Sequence, residues 1–173
     1  MRMMEVVRGG LDEFRRRPRV SVVCCTSSPL AIDRDFLDAD LEVARYGTPI
    51  LICPMPIAGD TSPITVAGTV TMNVAESLGT NAAIQLAAPG TPVILGAGAS
   101  LLDMKAGTFS FGALGTGLMI AARAEVAHEL GVPVLCPGLG TDAKYGGIQA
   151  GYEKALKRLV AVSAGADLVT GGI

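Results

Sequence analysis

The chain has 173 residues; half of them are hydrophobic, 17% are charged, and the formal net charge is 14 − 16 = −2. This composition excludes an intrinsically disordered chain and lacks the basic footprint of a nucleic-acid-binding protein. The mean hydropathy of +0.47 is high, but polar and charged residues interrupt every apolar stretch before the ~20 residues that a membrane span needs. Residues 1–10 lack the apolar core of a signal peptide. We therefore expect a soluble, cytoplasmic single domain with no nucleic-acid or membrane partner.

A short motif recurs along the chain. It reads GTPI at 47–50, GTPV at 90–93, GVPV at 131–134 and, more weakly, GADL at 165–168. The first three copies have the order expected where a helix ends in a left-handed glycine, a proline prevents the helix from continuing, and an apolar strand begins. The motif therefore predicts helices and strands in alternation.

The predicted elements follow in chain order. The strands are short and apolar throughout, as parallel strands buried on both faces are, and lie at about 20–25, 50–53, 93–95, 133–136 and 168–170. The helices lie at 33–46, 64–87, 113–130 and 148–164, and Asp33 is the N-cap of the first. In the last helix, Tyr152 is on the apolar stripe and is expected in the core, whereas Glu153 and Lys157 form an i,i+4 pair on the other face.

Such βαβ units fit two architectures. Five strands complete a small doubly wound parallel sheet, and they also make about five of the eight strands of a TIM (β/α)₈ barrel. The pattern alone slightly favours the open sheet, because a complete barrel usually has about 250 residues. In both architectures, ligands bind beyond the carboxyl ends of the strands.

This rule selects four loops, which are rich in glycine and polar residues and follow the first four strands: 26–29, 54–63, 96–112 and 137–147. The last one reads PGLGTDAKYGG and brings together a hydroxyl, a carboxylate and an amine at Thr141, Asp142 and Lys144. The simpler alternative for Thr141 and Asp142 is a local Asx-type turn before the next helix.

A cation site is also indicated in these loops. Asp103 and Phe111 lie in the long third loop, where one offers a negative charge and the other an aromatic face. Tyr145 adds a second aromatic side chain. Because aromatic residues make up only 4% of the chain, their presence in two of the loops favours an organic cation as ligand.

Several other sites are not indicated by the sequence. The four cysteines, Cys24, Cys25, Cys53 and Cys136, contain no C-x-x-C pair, and His128 is the only histidine, so no zinc site is predicted. The chain also lacks a phosphate-binding glycine motif and a set of residues for a Ser/His/Asp triad.

A series of segments, matching in order and spacing, resembles the trimethylamine methyltransferase family. They are PITVAG at 63–68, APGTPV at 88–93, DMKAG at 103–107, FSFG at 109–112, TDAK at 141–144 and QAGYEKAL at 149–156. The similarity extends from about Ser28 to the end of the chain.

The resemblance implies a TIM barrel and corrinoid-dependent methyl transfer, in which a methylated amine gives a methyl group to the Co(I) corrinoid (cobalamin) of a small partner protein. Family members that act on trimethylamine carry pyrrolysine. None is written here, which favours a quaternary amine such as glycine betaine over trimethylamine. Because the family's barrel is longer than this chain, we expect residues 1–173 to be a central part of a larger enzyme; a homo-oligomer is left open.

The resemblance also suggests roles for individual residues. The candidate catalytic residues, which would orient the substrate or the partner, are Thr141, Asp142 and Lys144. The candidate substrate-binding residues are Asp103, Ser110, Phe111 and Tyr145. The residues expected to face the corrinoid protein are Met55, Gly59, Thr61, Gly138 and Gly140, and no metal ligand is assigned in this chain.

Two other hypotheses stay open: a different small-molecule enzyme on an α/β scaffold, such as a lyase, and an inactive fragment or assembly module.

Overall fold

The structure is a computed structural model and describes residues 2–7 and 9–171. Its helices are α1 (Arg2–Val7), α2 (Leu11–Arg16), α3 (Arg34–Ala44), α4 (Val66–Ala87), α5 (Leu114–Glu129) and α6 (Ile148–Ser163). Its strands are β1 (Val22–Cys24), β2 (Ile50–Ile52), β3 (Ile57–Ala58), β4 (Val93–Gly96), β5 (Ser100–Asp103), β6 (Thr108–Ser110), β7 (Val134–Pro137) and β8 (Leu168–Thr170). Within this described part, no helix is both long enough and apolar enough to cross a membrane.

The main sheet has five parallel strands in the order β1-β2-β4-β7-β8. Each strand pairs with the preceding strand of this sheet, so the order never reverses. A doubly wound sheet requires a reversal, whereas a (β/α)₈ barrel adds each βα unit on the same side. The order of the five strands is therefore compatible with consecutive βα units of a TIM barrel and lacks the reversal of a doubly wound sheet. The parallel five-stranded sheet with its helices confirms the α/β fold class.

The helices α3 to α6 all cover one face of this sheet. Each contributes small or aliphatic side chains to one core cluster, for example Ala44, Ile84, Ile120 and Ala161, respectively. In that cluster they contact side chains from all five strands. This one-sided cover is the arrangement that right-handed βαβ units produce when they follow one another around a barrel.

The repeated motif adopts the predicted conformation at every copy. The φ angle is 68° at Gly47, 83° at Gly90, 68° at Gly131 and 80° at Gly165. In this region a side chain clashes with its own backbone, so glycine is favoured. The following strands begin within one residue of the predicted positions, which confirms that the motif ends a helix and starts a strand.

Two parts of the fold were not predicted. One is the pair of N-terminal helices: Phe14 of α2 is fully buried and packs edge-on against Tyr46, with ring centroids 6.3 Å apart. The other is a second sheet of three strands in the order β3-β5-β6, which forms within the loops after β2 and β4. Its strands are only two to four residues long, too short for a periodic pattern to indicate them.

The orientation of α6 corrects the sequence prediction. Lys157, expected on the exposed face, is only 3% exposed, and Ala161 is fully buried beside the sheet. Tyr152, expected in the core, is 66% exposed, and Ile148 and Leu159 on the same stripe are 94% and 64% exposed. Periodicity identifies the apolar side of a helix, but not whether a neighbouring element covers it.

A buried polar contact joins α4 and α5 beneath the loops. Arg123 is 2% exposed and donates from Nε to Asn73 Oδ1 at 2.6 Å. Asn73 in turn donates from Nδ2 to the carbonyls of Pro54 at 3.0 Å and Gly98 at 2.7 Å. Among the described residues, the two Nη atoms of Arg123 have no hydrogen-bond partner, and burial lowers the pKa of its guanidinium group. Asn73 is therefore the main compensation for a buried charge.

We expect Asn73→Ala to lower the free energy of unfolding by roughly 2–4 kcal/mol, because it leaves a buried charged donor and two carbonyls without their hydrogen-bond partner. Arg123→Met should lower it by only about 1–3 kcal/mol, because it leaves one neutral acceptor without its donor. Urea unfolding at neutral pH measures both values. As a control, Arg34→Met removes an arginine side chain that is 92% exposed and should change stability by at most about 0.5 kcal/mol. Equal losses in the Asn73 and Arg123 variants would contradict this interpretation.

Candidate active site

A cavity of about 370 Å³ lies where the loops after β4 and β7 meet. The β5–β6 hairpin and the residues before α5 form one side of it, and the loop that leads to α6 forms the other. Its lining residues are Asp103, Thr108, Phe109, Ser110, Phe111, Thr141, Asp142 and Lys144. Six of the seven residues predicted to act in catalysis or substrate binding are in this set. The structure thus brings them to one rim, while their roles stay predictions.

The Asp142 carboxylate joins the two sides of the cavity. Its Oδ1 accepts a hydrogen bond from the Phe111 backbone N–H at 2.8 Å, and its Oδ2 accepts from the Gly112 N–H at 2.8 Å and from the Ser110 hydroxyl. Burial raises the pKa of Asp142, but these hydrogen bonds and the charge of Lys157 outweigh it, so that the pKa lies below its ordinary value. The carboxylate is therefore held in its ionised form.

Glu153 holds the same loop from α6. Its Oε2 accepts from the Thr141 hydroxyl at 2.6 Å and from the Asp142 N–H at 2.9 Å, and its Oε1 accepts from the Gln149 amide at 2.8 Å. These hydrogen bonds, that from Thr141 most of all, lower the pKa of Glu153. The sequence also allowed a simpler alternative, a local turn in which Thr141 and Asp142 bind the backbone just after them. Such a contact is present at Thr141, whose Oγ1 accepts a hydrogen bond from the Ala143 N–H at 3.1 Å.

Lys157 lies one helical turn beyond Glu153 and reaches the same cluster. Its Nζ is 5.5 Å from the centroid of the Phe111 ring. Burial lowers the pKa of Lys157, and the charges of Asp142 and Glu153 act in the opposite direction. At Gly140, a Cβ atom would lie 3.2 Å from this Nζ and 3.5 Å from the Phe111 Cβ. Glycine at 140 therefore allows the lysine and the phenylalanine to approach the loop.

Three residues of this region were missed by the sequence analysis. Glu153 and Lys157 were interpreted as a surface pair, although both belong to the helix that directly follows a candidate loop. For Glu153, which lies in the first half of that helix, this position was a usable signal. Phe109 is two residues from Phe111 on the hairpin, and its ring stands at 85° to that of Phe111, with centroids 5.1 Å apart. In an extended segment, residues two positions apart point to the same side. This spacing from Phe111 could have identified Phe109.

The remaining predicted residues are not among those that line the cavity. Tyr145 is 83% exposed and outside the cavity lining. Met55 is 42% exposed, and Gly59, with φ 89°, is in the turn after β3. The Thr61 hydroxyl accepts a backbone hydrogen bond at 2.9 Å within that turn. Gly138 is buried, and a Cβ there would lie 2.6 Å from a side-chain carbon of β8, so the structure places it inside rather than on the surface.

Burial raises the thiol pKa of three of the four cysteines, Cys24, Cys53 and Cys136. Burial raises the pKa of Cys53 and Cys136 to about 11, so both are protonated thiols at neutral pH. Cys24 is buried as well, and Cys25 is exposed. Over residues 2–7 and 9–171, no group of three or more His, Cys, Asp or Glu side chains could hold a metal ion.

Comparison with known proteins gives consistent matches. The model of the trimethylamine methyltransferase (MTTB) family matches residues 1–172. The chain is 35% identical, over 94% of its length, to the trimethylamine methyltransferase MttB of Methanosarcina thermophila, of which it covers 34%. It is 34% identical, over 97% of its length, to the glycine betaine methyltransferase of Desulfitobacterium hafniense, of which it covers 36%. The chain thus spans about a third of the length of the curated relatives it matches.

We expect Asp142→Asn to lower the free energy of unfolding by roughly 1–3 kcal/mol near neutral pH, because the amide nitrogen cannot accept the hydrogen bonds that Oδ2 accepts. The difference should depend on pH. The pKa of Asp142 is lower in the folded than in the unfolded chain, so its stabilisation is present above the unfolded pKa and is lost as the pH falls through the folded pKa.

Urea unfolding of both proteins from about pH 7 down to about pH 3 measures this dependence. Asp38→Asn, on the exposed surface of α3, is the matched control and should have little effect at any pH. A difference between wild type and Asp142→Asn that stays constant on acidification would contradict the assigned role of the carboxylate.

Proposed function

Because the chain belongs to the trimethylamine methyltransferase family, we propose that it forms the substrate-binding part of an enzyme that moves a methyl group from a methylated amine to the Co(I) corrinoid of a partner protein. The family match and the names of the relatives support this class of reaction. The observation that carries the choice of site is the cavity at the loop ends, which combines two acids, two phenylalanines and a lysine.

The cavity suits a methylated ammonium group, which has a dispersed positive charge and an apolar surface. Phe109 and Phe111 offer aromatic faces, and Asp103 offers a carboxylate. One face of Phe111 already meets the Lys157 ammonium group, so we assign the substrate cation to Phe109 and Asp103. Lys144 lines the same cavity and can pair with a carboxylate of the substrate. This favours a zwitterionic quaternary amine such as glycine betaine over trimethylamine.

In the proposed reaction, the carbon–nitrogen bond breaks and its electron pair stays on nitrogen, so that the amine leaves as a neutral molecule. The methyl carbon bonds to cobalt through the electron pair that Co(I) supplies, and cobalt is formally oxidised to Co(III). A quaternary substrate needs no proton for this step. The contribution of the protein is then to hold the methyl group in line between nitrogen and the acceptor, with Thr141 and Asp142 fixing the wall against which the substrate lies.

We also propose that residues 1–173 act as one section of a larger barrel, with the corrinoid protein approaching the rim near Met55, Gly59 and Gly140. Two observations support this. The chain spans about a third of its relatives, and the apolar stripe of α6 is uncovered, with Ile148 94% exposed. In a barrel, a following βα unit covers such a stripe.

We expect the chain to bind tetramethylammonium, and Phe109→Leu to weaken this binding by roughly three- to tenfold, because it removes one cation–π contact while keeping the apolar volume. Isothermal titration calorimetry or ligand-observed NMR measures the affinity. Phe36→Leu, at a phenylalanine of α3 that is 56% exposed, is the matched control. Equal affinities for the Phe109 and Phe36 variants would exclude the assigned cation site.

The reaction itself is tested on a full-length version that contains residues 1–173, which is incubated with Co(I) cobalamin and, in separate samples, glycine betaine, trimethylamine and an unmethylated amine. We expect the corrinoid absorption spectrum to change to that of the methylated form with glycine betaine and, more slowly, with trimethylamine. Absence of transfer from every methylated amine would overturn the proposed reaction, and the calorimetry above would then show whether cation binding survives without it.

A further inference from the structure

We propose that Lys157 is a positioning residue, an internal ammonium ion that keeps the Thr141–Asp142 segment closed against the start of α5. It acts through the carboxylates of Asp142, which belongs to this segment, and of Glu153, which accepts hydrogen bonds from it. The proposal concerns how the rim is held and does not depend on the methyl-transfer reaction.

The geometry around Lys157 is that of a built site rather than of a chance surface charge. The residue is only 3% exposed, and it lines a cavity between the start of α5 and α6. Its ammonium group is 5.5 Å from the Phe111 centroid, which is close enough for a cation–π contact. Gly140 leaves the space that this approach needs, since a Cβ there would stand 3.2 Å from Nζ.

The charge balance of the segment explains why an ammonium group is needed there. Asp142 and Glu153 are joined through one peptide unit, since the Asp142 N–H donates to Glu153 Oε2 at 2.9 Å. Two ionised carboxylates so close repel each other. The buried Lys157 ammonium group lies beside Gly140 and the Phe111 ring, which belong to the two segments that Asp142 joins, and its charge offsets that repulsion. Of the other charged groups around the cavity, Asp103 adds to the negative charge and Lys144 is exposed to solvent, where water screens it.

The same contacts show what would move if the ammonium group were absent. The Asp142 carboxylate accepts from the backbone N–H groups of Phe111 and Gly112, both at 2.8 Å. If the two carboxylates are pushed apart, the loop moves away from the start of α5 and these hydrogen bonds break. The N–H groups of Phe111, Gly112 and Asp142 therefore report whether the segment is closed.

The experiment uses the unliganded chain and the variants Lys157→Ala and Lys157→Arg. Lys154→Ala, one turn earlier on the same helix, removes the same formal charge and is the matched control. Carboxyl ¹³C NMR titration measures the pKa of Asp142 and Glu153, and amide hydrogen exchange measures the opening of the three N–H groups. We expect Lys157→Ala to raise both carboxyl pKa values and to speed exchange of the three amides roughly tenfold, whereas Lys157→Arg and Lys154→Ala should stay close to wild type.

Chemical rescue separates an electrostatic role from simple packing. Added n-propylammonium should slow amide exchange again in Lys157→Ala, while neutral n-propanol, of similar shape, should not. Unchanged carboxyl pKa values and exchange in Lys157→Ala, or equal rescue by both additives, would overturn the proposal. If Lys157→Ala does not fold, Gly140→Ala is measured in its place. The added methyl group at residue 140 displaces the Lys157 ammonium group. We therefore expect Gly140→Ala to raise the carboxyl pKa values and to speed amide exchange, each by less than Lys157→Ala would. An unchanged Gly140→Ala would then contradict the proposal.

Discussion

The Asp142 carboxylate is the contact on which the architecture of the rim depends. Three donors from the end of β6 and the start of α5 converge on its two oxygens, and its own N–H is held by Glu153 of α6. One residue therefore fixes two consecutive βα units relative to each other at the carboxyl ends of their strands. An ionised carboxylate suits this task because hydrogen bonds to a charged acceptor are stronger than those between neutral groups.

Much of this arrangement could be predicted from the sequence, because local chemistry determines it. The glycines of the repeated motif fix where helices end, and the apolar runs after them fix the strands; hence the five-stranded frame and the loops at the carboxyl ends of its strands were predictable. These loops contain Asp103, Ser110, Phe111 and Asp142, and all four line one cavity. The barrel-like strand order, in contrast, came from the family resemblance, since βαβ spacing is the same in open and closed sheets.

What could not be predicted depends on contacts between distant residues. The buried state of Lys157 follows from the loop that crosses it and from the absence of a side chain at Gly140, neither of which periodicity detects. Tyr152 was misplaced for the converse reason, because a stripe of apolar residues does not show whether another element covers it. The second sheet escaped notice since its strands, at most four residues long, are formed by pairing and not by a local pattern.

Hydrogen bonds from polar side chains to the loops explain why the four loops meet at one rim. Glu76 of α4 is buried and accepts hydrogen bonds from Thr26, Ser28 and the Leu30 N–H, all in the loop after β1. One turn earlier, Asn73 holds the carbonyls of the loops after β2 and β4, and Asp142 joins the latter to the loop after β7. Each loop is thus held by a carboxylate or amide group, either from its own βα unit or from a neighbouring one. Because such groups are expensive to bury unless hydrogen-bonded, they favour the arrangement in which the four loops converge at one rim.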